Sequence, residues 1–164
     1  MDLILMRHGK ALSVGEGGIT RDADRPLSDE GRKVTRDVAD ALRRFGIEPA
    51  AILTSPLTRA AQTASIAAGR WGNPAIHTCQ SLACGRTPAG VVDALQRHAA
   101  PCVAAVGHMP DLAELASYLI SGAAGAGIVF RKSGVALIRF EGSPRAGAGS
   151  LEWLVSPRLL LGKD

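Results

Sequence analysis

Apolar residues fall in short blocks separated by longer stretches of helical spacing, the rhythm of a chain that alternates strand and helix. Leu3-Ile4-Leu5-Met6 is an unbroken apolar run, as expected of a strand buried on both faces. Ser28 stands as N-cap before Val34, Val38, Ala41, Leu42 and Phe45, which share one helical face, and Gly46 follows as a stop. Ala51-Ile52-Leu53 predicts a second strand, and Ser55 as cap with Pro56 in the first helical position predicts a helix to about Arg70. Ala75-Ile76-His77 reads as a short strand, and Thr87-Pro88 opens a helix carrying Val91, Val92 and Leu95. Cys102 to Val106 reads as another buried strand, followed by a helix from Pro110 with Leu112, Leu115, Leu119 and Ile120 inside. After the small-residue stretch Gly122 to Gly127 only strands are expected: Ile128-Val129-Phe130, Val135 to Phe140 and Leu151 to Val155. The order predicts an α/β fold, a three-layer α/β/α sandwich with a mostly parallel, mixed sheet, in one domain over residues 1–164.

Reactive side chains gather just past the strand ends. Arg7-His8-Gly9 follows the first strand, Ser55 to Arg59 the second, and Gly107-His108 a later one. In open α/β sheets ligands bind outside the carboxyl ends of the strands, so these residues stand where chemistry is expected. An imidazole, with a reference pKa near 6.5, offers a free nitrogen at neutral pH without a base beside it. Arginine binds phosphate with a planar fork and keeps its charge. Gly9 lets the backbone come close, and Arg59 falls in the first turn of a helix whose free N–H groups favour an anion. Gln62 and Thr63 lie on the Arg59 face of that helix, where they brace the arginine or face a loop. The set reads as a phosphoryl site. His8 is the candidate nucleophile, Arg7, Arg59 and His108 surround the phosphate, and Arg25 and Gly9 are further candidates on the substrate side. The long segment Lys10 to Pro26, rich in glycine and charge, is expected to be functional.

Composition narrows the choice further. A net charge of +4 suits an anionic substrate, while 4% aromatic residues leave no stacking platform, so a nucleic-acid partner is not expected. No apolar run is long enough for a bilayer, no signal peptide is apparent, and Cys79, Cys84 and Cys102 lack metal-ligand spacing. The expectation is a cytoplasmic protein with no membrane association. Arginines beside His8 and His108 would repel a cation, so neither metal nor other cofactor is expected. None of the cysteines has an arginine six residues on, as a cysteine phosphatase would need. The glycines at 122, 125 and 127 follow a helix rather than a strand, against a dinucleotide loop, and Ile128 stands where a P-loop would need lysine.

Met6-Arg7-His8-Gly9, then Ser55 through Thr63, then Val106-Gly107-His108 resemble the histidine phosphatase (phosphoglycerate mutase-like) superfamily. The short chain, Arg25-Pro26-Leu27-Ser28 with Gly31, and the ending Trp153 through Pro157 are similar to its SixA-type phosphohistidine phosphatase branch. The resemblance implies a phosphoglycerate mutase-like sandwich in which His8 is phosphorylated and Arg7, Arg59 and His108 complete the pocket. Many phosphoesterases of the superfamily place a carboxylic acid after the third strand. Here Ser81 to Arg86 offers none. An alkoxide, whose acid has a pKa of about 15, needs such a proton donor. An imidazole leaving group, with pKa about 6.5, needs it far less. The expected substrate is therefore a phosphohistidine-bearing protein, a phosphotransfer or carrier domain. Two alternatives stand beside it: a small-molecule phosphomonoesterase with Asp22 or Asp24 as acid, and a non-catalytic phosphate-binding module.

Overall fold

The computed structural model describes residues 1–162. The apolar blocks become six strands: β1 (Asp2–Arg7), β2 (Ala51–Thr54), β3 (Ala75–Thr78), β4 (Cys102–Gly107), β5 (Val135–Arg139) and β6 (Ser150–Val155). They form one sheet in the order β3-β2-β4-β1-β5-β6. The first four are parallel, and β5 runs antiparallel to both β1 and β6. The helices are α1 (Asp29–Arg44), α2 (Thr58–Ala68), α3 (Pro88–Arg97), α4 (Asp111–Ser121) and the single turn α5 (Pro157–Leu160).

Alternation along β1 builds the three layers. Ile4 and Met6 pack with Val38 and Leu42 of α1 and with Ala60 and Ala64 of α2. Leu3 and Leu5 point the other way, onto Val91 and Leu95 of α3 and Leu112 and Leu115 of α4. All four β1 side chains have no exposed surface. Burying such a side chain stabilises by about 1.5–3 kcal/mol, so the strand that ends at His8 is anchored on both faces. Among the described residues no helix is long and apolar enough to cross a membrane.

Three local expectations are corrected. Ser55 and Pro56 precede the second helix instead of opening it; α2 starts at Thr58 with Leu57 at the cap position and ends at Ala68. The Ser55 hydroxyl is engaged by His108, which diverts it from capping. Ile128-Val129-Phe130 is not a strand. Phe130 is sunk in the core, Val129 is exposed, and the Phe130 carbonyl is held by Arg7. The last strand pair begins at Val135 as expected, but β5 stops at Arg139, one residue before Phe140. The segment from Lys10 to Pro26 is organised by two short 3-10 turns, Glu16–Gly18 and Asp22–Asp24, and by a bridge between Ala11 and Leu27.

The start of α1 locks the chain leaving β1. Ser28 caps the helix by accepting the Gly31 amide at 3.1 Å, and its own amide donates to the Lys10 carbonyl at 2.9 Å. A Cβ on Gly31 would lie 2.0 Å from that carbonyl oxygen. Alanine ordinarily favours a helix over glycine by about 1 kcal/mol, but here the clash is with backbone and dominates. Gly31→Ala is expected to destabilise the fold by about 2 kcal/mol or more, read from the urea denaturation midpoint.

Candidate active site

Strand register brings the two histidines together. Arg7 pairs with Gly107 across β1 and β4, and Thr54 pairs with Val106 across β2 and β4. His8, His108 and Ser55 therefore leave the carboxyl ends of three neighbouring parallel strands. The His8 amide donates to the Gly107 carbonyl at 3.0 Å, and the imidazole centroids lie 5.0 Å apart. Helices α1 and α2 cover one face of the sheet and α3 and α4 the other, so the crevice opens where the connections diverge.

His8 is buried and its tautomer follows from its partners. Nδ1 donates to the Gly9 carbonyl at 2.7 Å, leaving the Nε2 lone pair free to accept from Arg59 Nε at 3.3 Å. Burial is the main reason that the ring is pushed down to about 3, against the Gly9 contact, with His108, Arg59 and Arg7 adding repulsion. His108 is lowered to about 4, by burial first and then by the Arg59 charge. Both rings are thus neutral at physiological pH.

The Gly9 backbone does more than its missing side chain suggests. Its amide donates to Thr63 Oγ1 at 3.1 Å, and the same hydroxyl donates to the Arg59 carbonyl at 2.7 Å. A Cβ there would meet Thr35 Oγ1 at 2.7 Å and the Gly31 carbonyl at 3.0 Å, so the space that glycine opens is filled by α1. Gln62 and Thr63 do share a face with Arg59, but neither is bonded to its guanidinium. Gln62 Oε1 accepts the Leu27 amide at 2.8 Å and so holds the loop to α2.

Arg59 is buried and bridges the site to that loop. Nη1 donates to the Asp22 carbonyl at 2.8 Å and Nη2 to Asp22 Oδ2 at 3.1 Å. Arg25 donates from Nε to the Leu12 carbonyl at 2.6 Å and from Nη1 to Asp22 Oδ1 at 2.9 Å. The hydrogen bond from Arg25, with the Arg59 charge adding to it, holds the Asp22 carboxyl below its ordinary range. Asp24 pairs instead with Arg21 at 2.8 Å, on the solvent side. Arg7 Nη1 donates to the Phe130 carbonyl at 2.8 Å.

Two roles have no local signal in the sequence. Ser133, at φ 56°, donates its amide to the His8 carbonyl at 3.2 Å, and its hydroxyl pairs with Thr35 at 3.2 Å. Ser55 Oγ lies 2.7 Å from His108 Nε2 and also accepts the Leu57 amide at 3.3 Å. The hydroxyl carries one proton and two lone pairs, so after accepting that amide it pairs with either tautomer of His108 through Nε2.

Among the described residues, Arg7 Nε and His108 Nδ1 are the buried side-chain polar atoms without a hydrogen-bond partner. An unmet buried polar atom costs about 1–3 kcal/mol, and both of these belong to the cluster around His8. The arrangement can hold a phosphoryl group between fixed donors and an uncharged nitrogen nucleophile. Among the described residues no cluster of three or more His, Cys, Asp or Glu is placed to hold a metal ion.

The neutral histidines have a testable consequence. Unfolded, each ring has its ordinary value near 6.5, while the folded chain keeps it neutral to lower pH. Their contribution to stability is therefore complete above that value and is lost as pH falls, because the unfolded chain then takes up protons that the folded chain refuses. The ring resonances of His8 and His108 should stay those of neutral imidazole down to about pH 5, and the loss of stability between about pH 7 and 5 should shrink in His108→Asn.

Comparison with known proteins bears on the family and the fold. The family model of the histidine phosphatase superfamily (branch 1) matches residues 3–83. An uncharacterized protein of Picosynechococcus sp. is 36% identical, over 98% of this chain and 99% of that one. The structure of the protein histidine phosphatase SixA complexed with tungstate matches with a TM-score of 0.85 at 26% identity, over 98% of this chain and 99% of that one. Phosphoserine phosphatase of Entamoeba histolytica, in complex with 3-phosphoglyceric acid, shares the fold at a TM-score of 0.69 and 17% identity, over 98% of this chain and 99% of that one. By its motifs, its three-layer sheet and these relatives, the chain belongs to the histidine phosphatase superfamily.

Proposed function

We propose that this protein is a phosphohistidine phosphatase acting on a protein substrate through a phosphohistidine intermediate at His8. The likeness to the protein histidine phosphatase SixA supports the reading, and the state of Asp22 carries the choice of substrate. A phosphomonoesterase needs a carboxylic acid that holds a proton at neutral pH. Asp22 is bound to Arg25 and Arg59, which favour its ionised form, and Asp24 is paired with Arg21. Neither carboxyl is set to protonate an alkoxide.

A phosphohistidine substrate removes the need. The His8 Nε2 lone pair forms a bond to phosphorus as the bond from phosphorus to the substrate imidazole breaks, and the departing nitrogen keeps that electron pair. With the other nitrogen of its ring protonated, the substrate leaves as neutral imidazole while His8 keeps its Nδ1 proton, so nucleophile and leaving group are the same chemical species and the transfer is close to energetically even. Arg7, Arg59 and His108 Nδ1–H hold the three equatorial oxygens, where charge is concentrated in the transition state. Water then attacks phosphorus, the bond to Nε2 breaks, and inorganic phosphate leaves with His8 restored. Gly9 fixes the His8 tautomer, and Arg25 holds the loop that carries Asp22.

The test is a paired assay of phosphate release from a phosphohistidine-bearing carrier protein and from a panel of alkyl phosphates. The carrier should be preferred by at least about 100-fold, and Asp22→Asn should change that turnover by no more than about threefold. Fast alkyl phosphate turnover that collapses in Asp22→Asn would overturn the assignment in favour of a monoesterase.

A further inference from the structure

Beside the catalytic mouth lies an open groove of about 590 Å³, lined among others by Lys10, Glu30, Val34, Lys132, Pro157 and Arg158. A second hollow of about 330 Å³, lined by Val129, Leu154 and Val155, shares Arg131 and Ser156 with it. The two form one surface running from the end of β1 toward α5. Its charge is one-sided. Lys10, Arg131, Lys132 and Arg158 face a single carboxylate, Glu30, which is paired with Lys10. Among the described residues, Arg131, Lys132 and Arg158 form no ion pair. Apolar surface is interleaved with these cations, and Val129 is 59% exposed.

The wall of this groove is the turn that clasps the nucleophile strand. Phe130 accepts from Arg7 Nη1, Ser133 donates to the His8 carbonyl, and the Gly134 carbonyl accepts the Arg7 amide. Arg131 and Lys132 therefore project from the segment that positions His8. We propose that this groove docks an acidic, amphipathic segment of the protein that presents the phosphohistidine, its carboxylates on Arg131, Lys132 and Arg158 and its apolar side chains over Val129 and Leu154. The proposal rests on the phosphohistidine reading above. A small polyanion would use the cations but has no use for the apolar strip. No lining residue is aromatic, so nothing there stacks a nucleobase.

The test uses two synthetic peptides of equal length, each chemically phosphorylated on one histidine. One carries a helix-forming flank of Glu, Asp and Leu; the other has Gln and Asn in place of the acids. Free phosphohistidine is the third substrate. The acidic peptide should show a KM about tenfold below that of its neutral counterpart, an advantage that fades at high ionic strength. Arg158→Glu and Val129→Asp, both at exposed positions, should each raise the acidic peptide's KM about fivefold, with kcat and free phosphohistidine turnover unchanged, and Arg158→Lys should restore it. Equal KM values for the two peptides, or variants without effect, overturn the docking proposal while free phosphohistidine turnover leaves the activity standing. Turnover of inorganic tripolyphosphate faster than of either peptide, and slowed by Arg158→Glu, would assign the groove to a small polyanion and also overturn it. A wild-type protein that releases no phosphate from any phosphohistidine overturns the activity and the docking together.

Discussion

Replacing His8 with alanine is expected to lower kcat/KM for phosphohistidine by about 10⁴-fold or more, with no loss of fold. The imidazole is a neutral nucleophile whose Nδ1 is fixed by the Gly9 carbonyl, and no other described side chain offers a nucleophilic nitrogen at that point except His108. His108 does not substitute, because its Nε2 is engaged by Ser55 and its proposed role puts the proton on Nδ1. The variant should still bind inorganic phosphate, since Arg7, Arg59 and His108 remain. Loss of turnover with binding retained, measured by phosphate release and by calorimetric titration, separates catalysis from recognition. Full activity in the variant would remove His8 from the mechanism, and wild-type binding without turnover would make this a phosphate-recognition module.

Arg59→Ala should cost about 10²–10³-fold in kcat, the range for removing one preorganised donor to transition-state charge. Arg59 is buried, donates to His8 Nε2 and holds Asp22 through two further hydrogen bonds, so no neighbour can take its place. Arg59→Lys should recover little of the loss, because an ammonium cannot reproduce the planar fork. Hydrogen exchange at residues 21–25 should also quicken in both variants, as the loop loses the Arg59 tie to α2 and keeps only that of Gln62 to Leu27. An Arg59→Lys enzyme of nearly wild-type rate would show that charge alone matters and that the fork geometry does not.

Much of this was legible in the chain because the signals are local. Four consecutive apolar residues, Leu3 to Met6, announce a strand buried on both faces, and Arg7-His8 follows within one residue of its end. Ser28 and Gly31 mark the start of α1 by a cap that the structure contains. The long-range terms were not legible. Ser55-Pro56 carries a genuine helix-start signal, yet its hydroxyl is taken by a histidine 53 residues away. Ile128 to Phe130 has the composition of a strand, but one buried phenylalanine and a carbonyl held by Arg7 fix it as irregular chain. Asp22 was visible as a candidate acid; its ion pairs with Arg25, three residues on, and with Arg59, across 37 residues, make it a charge partner instead. The basic groove is assembled from residues near 10, 30, 131 and 158, which no window of sequence brings together.

The most direct test is to catch the intermediate. Wild-type protein mixed with a phosphohistidine peptide would be quenched within a single turnover, held at alkaline pH and mapped by mass spectrometry. The expected result is an acid-labile phosphate on His8 that forms and decays fast enough to account for kcat, and that is absent from His8→Ala. Phosphate released at the full rate with His8 unmodified, or found on another residue, would contradict it.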